Sequence, residues 1–404
     1  MSTTKGRGRK RPSPELSSEE EDEEELSELE ESDDSDEESS DDRQDSADED
    51  DESDFNSDCE PLDEYEKGGY ADVEPGSVVG RYTLEHKLGW GHFSTVWAST
   101  RAVKGGNMEV AVKIIKSHRK YTEMADDEIQ IFRRISRVSP SGHPHLIRLV
   151  ESFSYKDANG LHRCLVFQCQ GPNLYRLIRE EYQSGIPLNS LKRIGSQFYQ
   201  ALFFLHHNCN LIHTDLKPEN LLLTKNSNPS DPTTWRLVLS DLGNVDEPKH
   251  AKDSYSTVQT RHYRSPEVIL RHGFDYMADI WSAGCVMFEL ATGTLLFEPE
   301  SGDGFKKSED HLAMMISFLG PIPLSFLERN HRTHEQYFNT KNQLRCARVQ
   351  PGFSLESLLE DQHGWESKLA REFAAFLSNQ LKWTPKARSR AGEILKHAWF
   401  TIKK

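Results

Sequence analysis

The stretch His213-Thr214-Asp215-Leu216-Lys217-Pro218-Glu219-Asn220 lies between Leu211-Ile212 and Leu221-Leu222-Leu223, and its reading decides the fold. An apolar run, a short polar turn and a second apolar run predict two strands holding a rigid loop. The loop offers a carboxylate at Asp215, an ammonium at Lys217 and an amide at Asn220. Phosphoryl transfer to a hydroxyl uses these types: a carboxylate to orient the hydroxyl, a cation beside the moving phosphate, and an amide oxygen on Mg²⁺. A polar surface loop with Asp and Asn turn hydrogen bonds would look the same in isolation. The surrounding chain has to discriminate.

Downstream, the apolar run Leu237–Leu239 leads into Ser240-Asp241-Leu242-Gly243. Asp241 is a candidate to hold Mg²⁺ across the β- and γ-phosphates of a nucleotide, and Gly243 lets the chain turn away. Upstream, Val110-Ala111-Val112-Lys113 sets one lysine in an apolar strand. A buried ammonium needs an anion. Glu128, 15 residues on, is the best internal candidate, and ATP phosphates are the external one. Earlier still, Gly89-Trp90-Gly91-His92-Phe93-Ser94-Thr95-Val96 separates two predicted strands. Glycines there let backbone N–H groups approach phosphates, Ser94 stands where a third glycine would be expected, and Val96 would cover the base.

The wider pattern predicts strands at 81–88, 94–100, 109–115, 145–152 and 162–168, with one helix at 122–135. After Gly171-Pro172 it turns helical, near 174–182, 188–208, 277–292, 310–319 and 366–381. Strands first and helices afterwards predict an α+β chain with two lobes. The expected boundaries are a tail at 1–78, a strand-rich lobe and hinge at 79–170, and a helical lobe at 171–402 with an insert at about 298–350.

The net charge of −17 is unevenly spread. Residues 1–80 hold 32 acidic and 7 basic side chains, which leaves 34 and 42 for the remainder. An acidic tail is therefore joined to a mildly basic body. Glu15 to about Asp72 has too few apolar residues to offset chain entropy and is expected to be disordered. Its serines at 17, 18, 32, 35 and 39 lie beside acids, which suits acid-directed phosphorylation. The tail fits a solubilising segment, a lure for basic partners or a pseudosubstrate. Lys5, Arg7, Arg9, Lys10 and Arg11 fit a nuclear-import signal, a nucleic-acid contact or merely a charged start. Six cysteines without Cys-x-x-Cys spacing argue against a zinc site or a disulfide framework. No long apolar run points to a membrane span or a secretory signal. An intracellular protein is expected.

Taken together, Gly89–Val96, Lys113, Glu128, Asp215–Asn220, Asp241–Gly243 and Ser265-Pro266-Glu267 resemble eukaryotic protein kinases in order and spacing. The resemblance implies a strand-rich N-lobe, a helical C-lobe, and ATP with Mg²⁺ in the cleft. It implies that Leu88, Gly89, Gly91, Ser94, Val96, Ala111, Lys113 and Glu128 line the nucleotide site. Phe167 would be the gatekeeper, Gln168 to Gln170 the hinge, and Leu222 the floor under the base. Asp215, Lys217 and Asn220 would be catalytic, with Asn220 and Asp241 on metal. Thr260 and Arg264 would belong to the substrate-binding loop. Glu267 with Arg388 would form a buried ion pair, and Asp279 would brace the catalytic loop.

The segment Thr260-Arg261-His262-Tyr263-Arg264-Ser265-Pro266-Glu267 resembles the CMGC group. Leu88–Trp97, His213-Thr214-Asp215, Asp241-Leu242-Gly243-Asn244 and Phe297-Glu298-Pro299…Ser301-Gly302 resemble SR protein kinases, which phosphorylate serines in Arg/Ser repeats of splicing factors. The resemblance covers about residues 80–402. It implies Arg/Ser-rich protein substrates, a monomer in cytoplasm and nucleus, and neither nucleic acid nor membrane as a direct partner. Glu300, Asp303, Glu309 and Asp310 fall in the region where that family docks basic peptides.

Three features depart from the family pattern. Glu309–Met315 resembles the LAMMER kinases, Pro266 stands where Leu is expected, and only Lys225–Thr234 replaces a long mid-domain spacer. Apart from these, Thr214 stands where kinases in general carry an arginine in the catalytic loop. With no cation there to be neutralised, activity without activation-loop phosphorylation is expected. Two rivals remain: a LAMMER-like dual-specificity kinase, and a scaffold that binds basic proteins without transferring phosphate. The complete set Lys113, Asp215, Asn220 and Asp241 argues against the scaffold.

Overall fold

Alternating apolar residues draw the first third of the folded chain into one antiparallel sheet. The computed structural model describes residues 60–252, 254, 256–327, 329–345, 349–350 and 352–401; the basic start and most of the acidic tail lie outside them. The strands are β1 (Val78–Val79), β2 (Tyr82–Gly91), β3 (Ser94–Val103), β4 (Gly106–Ile115), β5 (Leu149–Lys156) and β6 (Leu161–Gln168). Their spatial order is β1-β2-β3-β4-β6-β5. One face buries Val79, Tyr82, Leu84, Trp97, Val110, Val112 and Ile114 in a cluster of their own. The other carries Ile115, Leu165 and Phe167 into the main core, where Ala125, Ile129, Phe132 and Ile135 of α1 (Arg119–Val138) meet them. Those four follow the period of a helix with one apolar face.

Beyond β6 the chain becomes helical. α2 (Leu174–Glu180) and α3 (Leu188–Phe203) precede the catalytic stretch, and α3 ends in a wide π turn at Phe204–Cys209. The hairpin of β7 (Leu221–Leu223) and β8 (Leu237–Leu239) follows the stretch. Then come α4 (Pro248–Ala251), α5 (Pro266–Ile269), α6 (Tyr276–Thr292), α7 (Lys307–Leu319), α8 (Leu324–Leu327), α9 (His331–Tyr337), α10 (Leu355–Asp361), α11 (Ser367–Leu377) and α12 (Ala391–Ile394). Every residue of α6 from Met277 to Thr292 is buried, so this helix is the pillar of the lobe. Its acidic members Asp279 and Glu289 are buried as well, each on hydrogen-bond donors from neighbouring segments.

Three expectations need correction. The predicted strand at 145–152 begins only at Leu149, because the preceding segment joins β8 instead: the Leu239 amide donates to the His145 carbonyl and the Ile147 amide to the Leu239 carbonyl. Leu211-Ile212 is not a strand; Ile212 makes a single bridge with Asp246. The expected tail boundary at residue 78 also falls too late. Glu60, Tyr70 and Ala71 are buried against the N-lobe, so folded structure starts well before Val79. Composition suggested a tail there, but a few buried contacts outweigh local acidity. Among the described residues no helix is long and apolar enough to cross a membrane.

Candidate active site

Asp215 sits on a loop whose backbone is held in an unusual conformation. Thr214, Asp241 and Gln259 all have positive φ (67°, 59° and 68°), a region that non-glycine side chains seldom occupy. Such conformations persist only where the surroundings over-determine them. At Thr214 the holding group is Asp279, buried in α6. It accepts from the His213 amide (2.7 Å), the Thr214 amide (2.9 Å) and His206 Nε2 (2.8 Å). The Thr214 hydroxyl donates to the Asn244 carbonyl (2.7 Å), tying the loop to the segment after Asp241.

The predicted residues of this loop converge. Lys217 Nζ lies 3.0 Å from Asp215 Oδ2 and donates to Thr260 Oγ1 (3.1 Å). The Thr260 hydroxyl donates to Asp215 Oδ1 (2.6 Å). Asn220 Nδ2 donates to the Asp215 carbonyl (2.8 Å), which leaves its amide oxygen for another partner. Burial works against the Lys217 charge, yet Asp215 holds its pKa above that of an ordinary lysine.

A second cluster joins the two lobes. Lys113 on β4 lies 3.0 Å from Glu128 Oε2 on α1 and 3.5 Å from Asp241 Oδ1. Burial alone would discharge the ammonium, but Glu128 and Asp241 keep it protonated, with its pKa raised. Burial likewise pushes the Asp241 carboxyl up, and Lys113, His213 and Lys217 more than reverse this, so its pKa is lowered. A Cβ on Gly243 would come within 3.5 Å of both Asp241 Oδ1 and Glu128 Oε2, so the turn runs close beside these acids.

The expected nucleotide-lining residues come from both sides of the cleft. Val96 pairs with Lys113, Ala111 with Phe167, and Val110 with Gln168. The Phe167 ring packs 5.4 Å from that of Phe132. Gln170 bonds back to the Gln168 carbonyl, and the Gly171 amide donates to Leu223 (2.7 Å), fastening the hinge to the hairpin that carries Leu222. Gly89 and Gly91 face open space and have no positive φ; Leu88 is exposed and Ser94 is buried. Neither conformation nor packing demands glycine at 89 or 91. With carboxylate and amide oxygens at Asp241 and Asn220, the donor set suits a hard divalent cation held jointly with phosphates.

The chain matches the family model "Protein kinase domain" over residues 82–400. It is 36% identical to the "Serine/threonine-protein kinase SRPK" of Physarum polycephalum, covering 85% of this chain and 92% of that one. It is 30% identical to "Protein kinase dsk1" of Schizosaccharomyces pombe, covering 84% of each. To human "SRSF protein kinase 3" it is 26% identical, covering 83% and 89%. The chain belongs to the SR protein kinase family. It is a protein serine/threonine kinase, with the nucleotide and divalent-metal chemistry general to that domain.

Other residues of the kinase support the site from behind. Arg388 donates two bonds to Glu267, at 2.6 and 2.7 Å, and one to the Met277 carbonyl, all buried. Arg264 turns inward to the carbonyls of Val258 and Gln259, so it shapes the expected substrate loop through backbone contacts. The acids expected to dock a basic peptide divide. Glu300 and Asp303 are exposed, whereas Glu309 is buried, accepting from the Lys306 amide at the start of α7, and Asp310 accepts from the Glu300 amide. Those last two are committed to local structure, a use that charge counting does not reveal.

Three residues escaped the sequence reading. Gln259 is buried; it donates to the Ala278 carbonyl and Ser282 Oγ and accepts from the Ser265 amide and hydroxyl, bolting the substrate loop to α6. Nothing in its local pattern marks it. Tyr263 donates to Glu289 (2.6 Å), and both are buried beneath the same loop.

Proposed function

We propose that this kinase phosphorylates serines in Arg/Ser-rich proteins, with Asp215 as the group that orients the substrate hydroxyl and accepts its proton. The observation that carries this reading is the convergence of Asp215, Lys217, Thr260 and Asn220 beside the Lys113–Glu128–Asp241 cluster. Lys113, held charged by Glu128, would position the α/β-phosphates. Asn220 and Asp241 would hold Mg²⁺. Lys217 would offset charge on the transferring group, and Thr260 would fix the Asp215 rotamer. Bound ATP supplies the phosphoryl group itself. The chain's contribution is placement and charge compensation, which carry most of the acceleration in this chemistry.

Two features support a basic substrate. The relatives include a kinase named for SRSF proteins. Beside Asp215, Glu219 Oε2 is buried without a hydrogen-bond partner, and burial raises its pKa. Turned toward the cleft, that carboxylate would take a substrate guanidinium in a charge-assisted bond.

The test is phosphate transfer from labelled ATP to an Arg-Ser repeat peptide, beside an acidic peptide, a tyrosine-substituted repeat and an Asp215→Ala enzyme. Asp215-dependent labelling of the serine repeat alone is expected. Comparable labelling of the tyrosine repeat would favour LAMMER-like dual specificity, and labelling of the acidic peptide would overturn the substrate assignment.

A further inference from the structure

The segment before the kinase-domain match is a strap across the N-lobe. Its first described residue, Glu60, is buried and paired with Lys87 of β2, whose ammonium also lies 5.1 Å from the ring centre of Trp97. From there the strap crosses to the β4–α1 junction. The Ser117 amide donates to the Gly69 carbonyl (3.0 Å) and the His118 amide to the Gly68 carbonyl (2.9 Å). His118 is the N-cap of α1, the helix that carries Glu128. Lys116 is nearly enclosed, 2.6 Å from Glu64 and 4.3 Å from the centre of the Tyr70 ring.

The strap ends on the glycine loop. Tyr70 is 1% exposed, and its hydroxyl donates to the Gly91 carbonyl at 2.9 Å, 21 residues along the chain. The next two loop residues are gripped from the other side. His92 Nε2 lies 3.3 Å from the Tyr121 hydroxyl, the Phe93 ring lies 5.3 Å from the Tyr121 ring, and the Lys116 amide donates to the Phe93 carbonyl (2.9 Å). The loop tip is thus held between Tyr70 of the strap and Tyr121 of α1. Two-glycine loops are conformationally free, and ordering one when a nucleotide binds costs affinity.

We infer that Tyr70 is a positioning residue for ATP: through Gly91 it presets the glycine loop, so that nucleotide binds to a loop already in place. The inference rests on the proposed role of Gly89–Val96 as the cover over the nucleotide phosphates. It implies that residues 60–72 are part of the catalytic unit. Fragments beginning at Tyr82 would retain the catalytic loop but lack the grip on Gly91.

The test uses the full chain with Tyr70→Phe, which keeps the ring beside Lys116 and removes only the hydroxyl. The measurements are the Kd of ATP by calorimetry, KM for ATP and for an Arg-Ser peptide, Tm, and amide exchange over residues 89–94. Loss of one hydrogen bond to the loop is expected to raise the ATP Kd and KM about three- to tenfold. Exchange at 89–94 should quicken, while KM for the peptide stays put. Gly91→Val runs beside it as a probe of the loop itself. An unchanged ATP Kd in Tyr70→Phe with a weakened one in Gly91→Val would overturn the role of Tyr70 alone. No change in either variant would overturn the loop assignment beneath it. A lower Tm with unchanged ATP Kd would make Tyr70 a structural residue only and would also overturn the inference.

Discussion

The Thr260 hydroxyl donates to Asp215 Oδ1 at 2.6 Å, across 45 residues of sequence. Through this bond the segment carrying Thr260 reaches the carboxylate proposed to accept the substrate proton, and Lys217 touches both partners. Thr260→Val keeps the volume and removes the donor. It is expected to lower kcat roughly 10- to 100-fold with little change in KM for ATP, while Thr260→Ser retains most activity. Steady-state kinetics on an Arg-Ser peptide checks this; equal losses in Val and Ser variants would count against the hydroxyl.

Thr214 has already satisfied its side chain on the Asn244 carbonyl, so no cation at that position waits for a phosphate. Phosphatase-treated enzyme is therefore expected to keep its full rate, although Ser254, Tyr255, Ser256 and Thr257 are available in the sequence between Asp241 and Thr260. Loss of activity on dephosphorylation, restored by rephosphorylation, would refute it.

Glu219→Gln removes the charge from the orphaned oxygen beside Asp215 without changing its volume. The expected outcome is an increase in KM for an Arg-Ser peptide of about tenfold or more, against an unchanged KM for ATP. A peptide with lysine in place of arginine should show a smaller difference between the two enzymes, because lysine lacks the bidentate fork. Identical peptide KM values in both enzymes would remove Glu219 from substrate recognition.

Glu289 is buried beneath the substrate loop, and burial, opposed by the Tyr263 bond and reinforced by Glu219, pushes its pKa up to about 7. An unfolded glutamate titrates near 4.5. Between those values the folded chain binds more protons than the unfolded one, so stability falls as pH rises through that window. The contribution is fully present below about pH 4.5 and lost above about pH 7, and is on the order of 3 kcal/mol. Glu289→Gln still accepts from Tyr263 but does not titrate. Its Tm is expected to fall less than that of the parent between pH 5 and pH 8. Parallel Tm profiles would contradict the assignment.

The catalytic loop, the Lys113 strand, the glycine loop and the Asp241 turn were legible because each is a local pattern. A polar turn between apolar runs, or a lone lysine in a strand, announces itself within a dozen residues. The two lobes followed from the change of period after Gly171. The insert acids stand out by their clustering and their place in the family pattern; that Glu309 and Asp310 also accept backbone amides within their own segment is visible only in the fold.

By itself, then, the sequence determined the α+β class, the kinase family and the residues available for phosphoryl transfer. Only the tertiary structure decided that residues 60–72 are a folded strap, that Gln259 bolts the substrate loop to α6, and that His145–Ile147 pairs with β8. The reason is physical: a local motif carries its chemistry in adjacent side chains, whereas burial and hydrogen-bond partners are set by segments far apart in the chain. Tyr70 and Gly91, or Gln259 and Ser282, acquire their meaning only when the fold brings them together.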